Sequence, residues 1–473
     1  LPIFRTLTLA IFLLVFMSCS KDSSLPNIVF IFADDMGYGD PGCYNPDSKI
    51  LTPNIDRLAE NGMRFTNAHA PAAWCTPSRY GLLTGKYPMR IDIRQAGKNC
   101  LIEAEQLNLA SLLKSKGYYT ACIGKWHLGF DSVNYNEGIV GGPVDRGFDY
   151  FFGIPVSLDI QPYYYIENDR CVEAPTLPIE ASNTDGVSIV QGAFWRKGLV
   201  APGFKHEDVL PDLTRKAVQV INEHHQENKN QPFFLYFPLP GPHTPWLPID
   251  DFKGKSQAGM YGDFVMQVDY TVGEILNTLD KLKLTENTIV FFSSDNGPVW
   301  FDEDIDKYDH QSVYFLKGIK SDMWEGGHRM PFIVQWPGNT PEQSTSKELI
   351  CFTDMLATFA DITDTEIDLS AYDSHSILPV ITGNNGSGPI RKEVIIDNKA
   401  IITDEWKLII GHGGDNFNRA YSLSKERFMN LPRNEGELYK IAIDSTESNN
   451  LYTSEPEVVK ELKERFEEIK RQR

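Results

Sequence analysis

Two apolar runs in this chain end in clustered oxygen donors. "IVFIFADDMGYGD" delivers Asp34 and Asp35, and "TIVFFSSDNG" delivers Asp295 and Asn296. Three carboxylates and an amide are hard ligands that suit Ca²⁺, or less well Mg²⁺, rather than zinc. Without a cation, carboxylates gathered so closely would repel one another and retain protons. Either pair alone reads as turn chemistry, because Asp, Asn and Gly are favoured after strands. Both pairs together, beside the groups that follow, read as a metal cluster.

Basic groups occupy the same kind of position. "GKWHLG" supplies Lys125 and His127, alternate residues that share a face if the segment is extended. "GPHTP" holds His243 between prolines after the run "FFLYF", and "LKGIKSDMWEGGHRMP" supplies Lys317 and Lys320 ahead of a glycine pair. Gathered around a dication, Lys125, His127, His243 and Lys320 would bind a tetrahedral anion and protonate its leaving group. Lys317, His206, His224, His225 and His310 read as solvated or structural residues.

The stretch "CTPSRYGLLTG" leaves four readings of Cys75 open: buried thiol, disulfide half, catalytic thiolate, or a residue altered by processing. It carries no cysteine-protease signature, and a buried structural cysteine is the commonest fate. A helix predicted to start at Pro77 or Ser78 would aim Cys75 at its N-terminus, where anions are favoured. Arg79 then falls in the first turn, against the helix dipole, which points to a binding or orienting task.

These groups need a scaffold that brings strand ends together. Asn27–Phe32 reads as a buried strand. "TPNIDRLAENGMRF" reads as an amphipathic helix from Thr52-Pro53, with Ile55, Leu58 and Met63 on one side. Three further segments pair a helix with an apolar strand, ending in "TACIGK", "FFLYF" and "TIVFFSS". The alternation predicts an α/β sandwich with a large, mostly parallel sheet between helices. Such sheets bind ligands at the carboxyl ends of their strands, where every polar cluster above lies. From about Gly383 the pattern changes. "EVIIDNKAIITDEWKLIIG" reads as two or three short strands turning at Asp404-Glu405, and "PEVVKELKERFEEIKRQR" as a terminal helix. We therefore expect a catalytic domain over 26–382 and a small antiparallel α+β subdomain over 383–473, joined through "GNNGSG".

A formal net charge of -19 argues against nucleic acid or an anionic membrane surface as a partner. The first residues, "LPIFRTLTLAIFLLVFMSCS", carry an apolar run from Leu7 to Met17 that is short for a membrane span and reads as an export signal over 1–19. Its end resembles a bacterial lipoprotein signal with Cys19 as the lipidated residue, and plain secretion by cleavage near Ser18 is the alternative. Both readings predict an exported protein, periplasmic or at the cell surface, which meets a membrane only through a lipid anchor. The remaining cysteines, Cys43, Cys75, Cys100, Cys122, Cys171 and Cys351, show neither a CxxC pair nor zinc spacing. An oxidising compartment permits a disulfide or two, with pairing unreadable.

"CTPSRYGLLTG" resembles, at every defined position, the first signature of the type I sulfatases of the alkaline phosphatase superfamily, C-x-P-S-R-x-x-x-L-T-G. "GYYTACIGKWHLG" resembles their second signature, and "ADD", "GPHTP", "SSDNG" and "KSDMWEGG" follow the family's order. The arylsulfatase A-like group is the nearest general match. The resemblance implies that a formylglycine-generating enzyme oxidises Cys75 to formylglycine before folding, reading Pro77 and Arg79 as part of its target. The aldehyde hydrates to a diol: one hydroxyl attacks sulfur, and the second expels sulfate by re-forming the aldehyde. It further implies Asp34, Asp35, Asp295, Asn296 and modified Cys75 as calcium ligands, and Arg79 as the holder of the diol. Lys125 and Lys320 become sulfate clamps, His243 the acid for the leaving alcohol, and His127 the group that orients and deprotonates the second hydroxyl. Export together with the signatures predicts a sulfated carbohydrate as substrate: a glycosaminoglycan, mucin or algal glycan. Alternatives are a phosphodiester or phosphonate monoester hydrolase of the same superfamily, and a non-catalytic sulfated-glycan-binding protein. For substrate selection we single out Arg90–Cys100 and Trp300–Gln311, with Arg94, Lys98 and His328 as candidates for a sugar carboxylate or hydroxyls.

Overall fold

The computed structural model describes residues 25–384 and 388–472. The signal segment and Cys19 lie outside the described residues, as does part of the 383–388 segment. The main sheet has ten strands. In chain order these begin with β1 (Asn27–Asp34), β2 (Met63–Phe65), β3 (Tyr119–Lys125), β4 (Tyr150–Ile154) and β5 (Ile166–Glu167). They continue with β6 (Arg170–Cys171), β7 (Phe233–Pro242), β8 (Thr288–Ser294), β9 (Phe332–Gln335) and β10 (Ser344–Ser346). Across the sheet the order is β10-β2-β9-β8-β1-β7-β3-β4-β5-β6. The central strands β8, β1, β7, β3 and β4 run parallel, whereas β9 and β5 pair antiparallel to their central neighbours. Every residue of β1, β7 and β8 is buried, as expected of strands covered on both faces.

Helices α1 (Pro53–Glu60) and α4 (Val209–Glu227) both pack on α5 (Gly259–Leu282). A second group, α2 (Cys75–Thr84), α3 (Leu109–Ser115) and α6 (Met355–Ile362), packs together. Proline opens α1 as expected, but Met63 belongs to β2 and not to the helix, because the chain turns at Asn61-Gly62. The mixed α/β architecture agrees with the sequence reading, and helix–strand alternation was the signal that carried it.

The C-terminal part forms a second sheet, an antiparallel meander of β11 (Glu393–Ile396), β12 (Ala400–Thr403), β13 (Lys407–Ile410) and β14 (Gly436–Tyr439). Helix α7 (Pro456–Arg471) buries Val459, Leu462, Phe466 and Ile469 against it. Each such side chain contributes about 1.5–3 kcal/mol when fully buried. This second core also takes in Ala73, Met323 and Trp324, which flank Cys75 and Lys320 in sequence. The small sheet therefore supports the segments that carry the site. All six cysteines among the described residues are unpaired, and no described helix is long and apolar enough to cross a membrane.

Candidate active site

Parallel register puts Ala33 of β1 beside Ser294 of β8, so Asp34-Asp35 and Asp295-Asn296 leave the sheet side by side. Asp35 takes a left-handed turn (φ 63°), and its backbone N–H donates to Asp295 Oδ1 at 3.2 Å. Asn296 Nδ2 donates to Asp35 Oδ1 at 2.6 Å, leaving Asn296 Oδ1 and Asp34 Oδ1 buried without partners. An unmet buried acceptor costs about 1–3 kcal/mol, and two aimed into a carboxylate cluster suit a hard cation. Ligand atoms of Asp34, Cys75 and Asp295 lie within 4.8 Å of one another, as do those of Asp34, Asp35 and His243. The donor set therefore fits a divalent ion.

Three cations face the three carboxylates. Arg79 donates through Nε and Nη2 to Asp295 Oδ2 (3.0 and 2.7 Å) and through Nη1 to the Lys125 carbonyl (3.1 Å). Lys125 Nζ donates to Asp34 Oδ2, and Lys320 Nζ lies 2.7 and 2.8 Å from the two Asp35 oxygens. Burial works against the Asp34 charge, but Lys125, His243 and Arg79 outweigh it and hold this carboxyl far below the carboxylate range. Burial likewise opposes the Lys320 charge, and Asp35 overcomes it. Asp295 moves the other way: burial and the Asp34 charge raise it to about 7. His243 follows the end of β7. Its Nδ1 is 2.6 Å from the Thr244 carbonyl, so Nδ1 carries hydrogen, and Nε2 lies 3.7 Å from Asp35 Oδ2. His127 takes φ 57°, and its buried Nδ1 has no partner. Burial and Lys125 keep that imidazole neutral.

Cys75 itself opens α2, two or three residues ahead of the predicted start at Pro77 or Ser78. Pro77 is tolerated inside the first turn because N–H groups there have no intrahelical acceptor. The Cys75 side chain thus sits at the helix N-terminus beside Asp34 and Asp295, only 6% exposed. Burial raises its thiol, against Lys125 and Lys320, which disfavours an unmodified thiolate nucleophile. With the helix starting at Cys75, Arg79 is its fifth residue, past the first turn where it was expected, and it lies entirely inside the cluster.

Lys320 is held by the glycine pair that follows it. A Cβ on Gly326 would come within 2.2 Å of the Gly318 carbonyl oxygen, and one on Gly327 within 2.1 Å of the Asp322 carbonyl oxygen. Only glycine lets the chain pass under the lysine turn. The next residue, His328, is a correction: it is fully buried and does not face a substrate. Its Nδ1 lies 3.0 Å from His69 Nδ1, and its Nε2 3.1 Å from Lys407 Nζ. Arg94 is also spent locally, on Asp92 at 2.7 Å, and Lys98 is exposed at the end of the same turn.

Burial lowers His69 to about 3 and His206 to about 4. The unfolded chain takes up these protons near pH 6.5 while the folded chain refuses them, so stability is complete above pH 6.5 and falls as pH drops toward 3. His69 alone is expected to remove about 1.4 kcal/mol per pH unit over that window. Unfolding midpoints between pH 7 and pH 5 should show the decline, and His69→Gln should flatten part of it.

One supporting network escaped sequence reasoning. Buried Asp40 accepts from Gly37 N at 2.7 Å, from Tyr261 Oη, and from His310 Nε2 at 2.8 Å. Tyr261 Oη also lies 3.2 Å from the Asp35 carbonyl oxygen, so the network packs against the carboxylate loop. "GYGD" was the visible signal, but its partners stand more than 200 residues away.

Residues 26–365 match the sulfatase family model, and residues 315–472 match the N-sulphoglucosamine sulphohydrolase C-terminal model. The chain is 34% identical to the N-acetylgalactosamine-6-O-sulfatase of Bacteroides thetaiotaomicron, over 95% of this chain and 94% of that protein. It is 33% identical to human arylsulfatase A, over 76% of this chain and 69% of that one. A solved structure from a study of glycosaminoglycan metabolism by Bacteroides thetaiotaomicron superimposes with a TM-score of 0.82 at 34% identity. That match covers 94% of this chain and 99% of the other.

Proposed function

Because this chain belongs to the sulfatase family and hydrolyses sulfate esters, we propose that it is an exported, calcium-dependent carbohydrate sulfatase whose nucleophile is a formylglycine hydrate made from Cys75. The single observation that carries this reading is the convergence of Cys75, three carboxylates, three cations and two histidines at adjoining strand ends. The relative's name makes 6-O-sulfated N-acetylgalactosamine the first sugar to try. The family's maturation enzyme is the partner this reading requires.

On this reading the residues of the cluster divide the work as follows. Asp34, Asp35, Asp295 and Asn296 would hold a divalent ion, which would supply charge neutralisation for the sulfate group. Lys125, on Asp34, and Lys320, on Asp35, hold the sulfate group. Arg79 fixes Asp295 and orients the residue-75 hydroxyls. His243, with hydrogen on Nδ1, gives its Nε2 proton to the departing alcohol oxygen. His127, kept neutral, accepts a proton from the second hydroxyl as the aldehyde re-forms and sulfate leaves.

Two outcomes follow. Asp295→Ala should lower both calcium content, measured by atomic emission, and turnover; full calcium retention would overturn the ligand assignment. His243→Gln should cost about 10²–10⁴-fold in kcat for sugar sulfates, whose alcohols leave poorly, and much less for nitrophenyl sulfate. Equal losses on both substrates would remove His243 as the acid. The reading itself is tested by peptide mass spectrometry across Cys75 after co-expression with a formylglycine-generating enzyme, together with sulfate release from a panel of sulfated sugars. An aldehyde with sulfate release supports it. An aldehyde with only phosphodiester or phosphonate cleavage moves the activity to the superfamily's other branch. Sugar binding without any turnover would make it a binding protein.

A further inference from the structure

Of the chain's eight tryptophans, all among the described residues, Trp74 alone is exposed, at 38%. It stands immediately before Cys75 and caps α2 with an extended backbone (φ -158°, ψ 159°). Consecutive Cα atoms lie about 3.8 Å apart, so the indole is rooted one peptide bond from the reacting residue. The peptide bond on its other side is tied to the lysine turn. There the Ala73 carbonyl accepts from the Ser321 N–H at 2.7 Å, and Ser321 follows Lys320. Cys75, His243 and Lys320 are only 6%, 8% and 8% exposed, so the cluster meets solvent through a small opening. The chain on either side of Trp74 therefore fixes it at the edge of that opening, between Cys75 and the turn of Lys320.

The ring is anchored from the C-terminal subdomain. In the turn between β11 and β12, Asp397 takes φ 51° and its N–H donates to the Pro71 carbonyl at 2.8 Å. Burial raises the Asp397 carboxyl to about 6, while Lys399, the Ala73 N–H and the Trp74 indole N–H pull it down. The one polar atom of the indole is thus taken up by Asp397, which leaves carbon as the surface the side chain offers. A ring held this way has only two side-chain torsions to lose on binding. Left in water it forgoes apolar burial, which a ligand covering it would restore. Such a ligand must place sulfate in the cluster and apolar C–H groups beside it, and a pyranose does both. With sulfate on O6, the ring carbons nearest the reacting bond are C5 and C4. In the galacto configuration the axial O4 leaves the hydrogens of C3, C4 and C5 together on one face. In the gluco configuration the C4 hydrogen lies on the other face and the patch is broken.

We propose that Trp74 is a specificity-determining residue: its ring, anchored on Asp397, stacks on the apolar face of the sulfated sugar and favours the galacto over the gluco configuration. The inference rests on the carbohydrate-sulfatase reading above and adds the residue that selects the ring.

The test compares 6-O-sulfated N-acetylgalactosamine with its C4 epimer, 6-O-sulfated N-acetylglucosamine, and uses inorganic sulfate as an inhibitor. Rates are normalised to formylglycine content by peptide mass spectrometry, because residue 74 adjoins the maturation target. The parent should favour the galacto sugar by at least about 10-fold in kcat/KM. Trp74→Ala should bring that ratio near one, with the loss falling on KM for the galacto sugar. Inhibition by inorganic sulfate, which reaches the lysines without covering the ring, should stay unchanged. Trp74→Phe, which keeps a ring, should retain most of the preference. A parent without the preference, an alanine variant that keeps it, or a loss of sulfate inhibition equal to the loss on the sugar would overturn the proposal. If neither sugar releases sulfate, the catalytic reading fails separately. Calorimetric titration of the Cys75→Ala chain with the two sugars then decides: tighter binding of the galacto sugar, lost when Trp74→Ala is added, supports the stacking role. Equal or absent binding refutes it.

Discussion

Cys75→Ser is expected to lower steady-state sulfate release by about 10⁴-fold or more while leaving the fold intact. Serine is close to cysteine in size and is well tolerated at the start of a helix, so α2 keeps its place. Its single hydroxyl can still attack sulfur beside Lys125 and Lys320. On the proposed formylglycine reading it lacks the second hydroxyl whose deprotonation would expel sulfate, so the reaction should stop at a serine sulfate ester. Intact mass would show that adduct, and rapid-quench kinetics would show one turnover per chain at most. Sustained turnover by this variant would mean that residue 75 is not the nucleophile.

Lys407→Met is expected to cost about 3–5 kcal/mol of folding stability, the usual penalty for removing one partner from a buried ion pair. Lys407 Nζ lies 2.8 Å from Glu325 Oε1 and 2.9 Å from Glu447 Oε1, and all three side chains are fully buried. Burial alone would keep Glu325 protonated, and Lys407 is the largest of the charges that hold it ionised. Without the ammonium, Glu447 must find a proton or stay charged and unpaired while Glu325 keeps only Arg329, 3.2 Å from its Oε2, so the loss should be larger at pH 8 than at pH 5. Denaturant titrations at the two pH values measure this, with exposed Lys460→Met as the control that should change little. Turnover should fall as well, because Glu325 begins the short helix whose glycine pair supports Lys320. A variant as stable as the parent at pH 8 would show that the triad carries no stability.

The clearest features in the sequence were those set by short-range rules. Apolar runs ending in Asp34-Asp35 and Asp295-Asn296 announced strand ends, and those strands are parallel neighbours. Helix starts were less legible: α2 begins at Cys75 because proline is acceptable at the third helical position as well as the first. His328 misled because its neighbours Gly326, Gly327 and Arg329 suggest an exposed loop, whereas its imidazole is packed between His69 and Lys407. Lys407 was visible as a lone charge within "WKLII", yet its partners Glu325 and Glu447 could be found only through the fold. The Asp40–Tyr261–His310 network was hidden for the same reason. Local spacing reports which groups leave a strand, but not which groups arrive from elsewhere.

On the proposed formylglycine reading, the burial of Cys75 turns activity into a matter of timing. Once α2 is docked, a thiol at the bottom of a closed cluster is out of reach of any maturation enzyme. Each nascent chain therefore faces a race, and the proportion that ends up active equals the modification rate divided by the sum of modification and folding rates. Parallel sheets close through distant segments, β1 waiting for β7 and β8, which makes folding slow. That slowness lengthens the interval during which "CTPSR" is an open peptide. A substitution or a chaperone that speeds folding would then reduce the specific activity of a perfectly stable product.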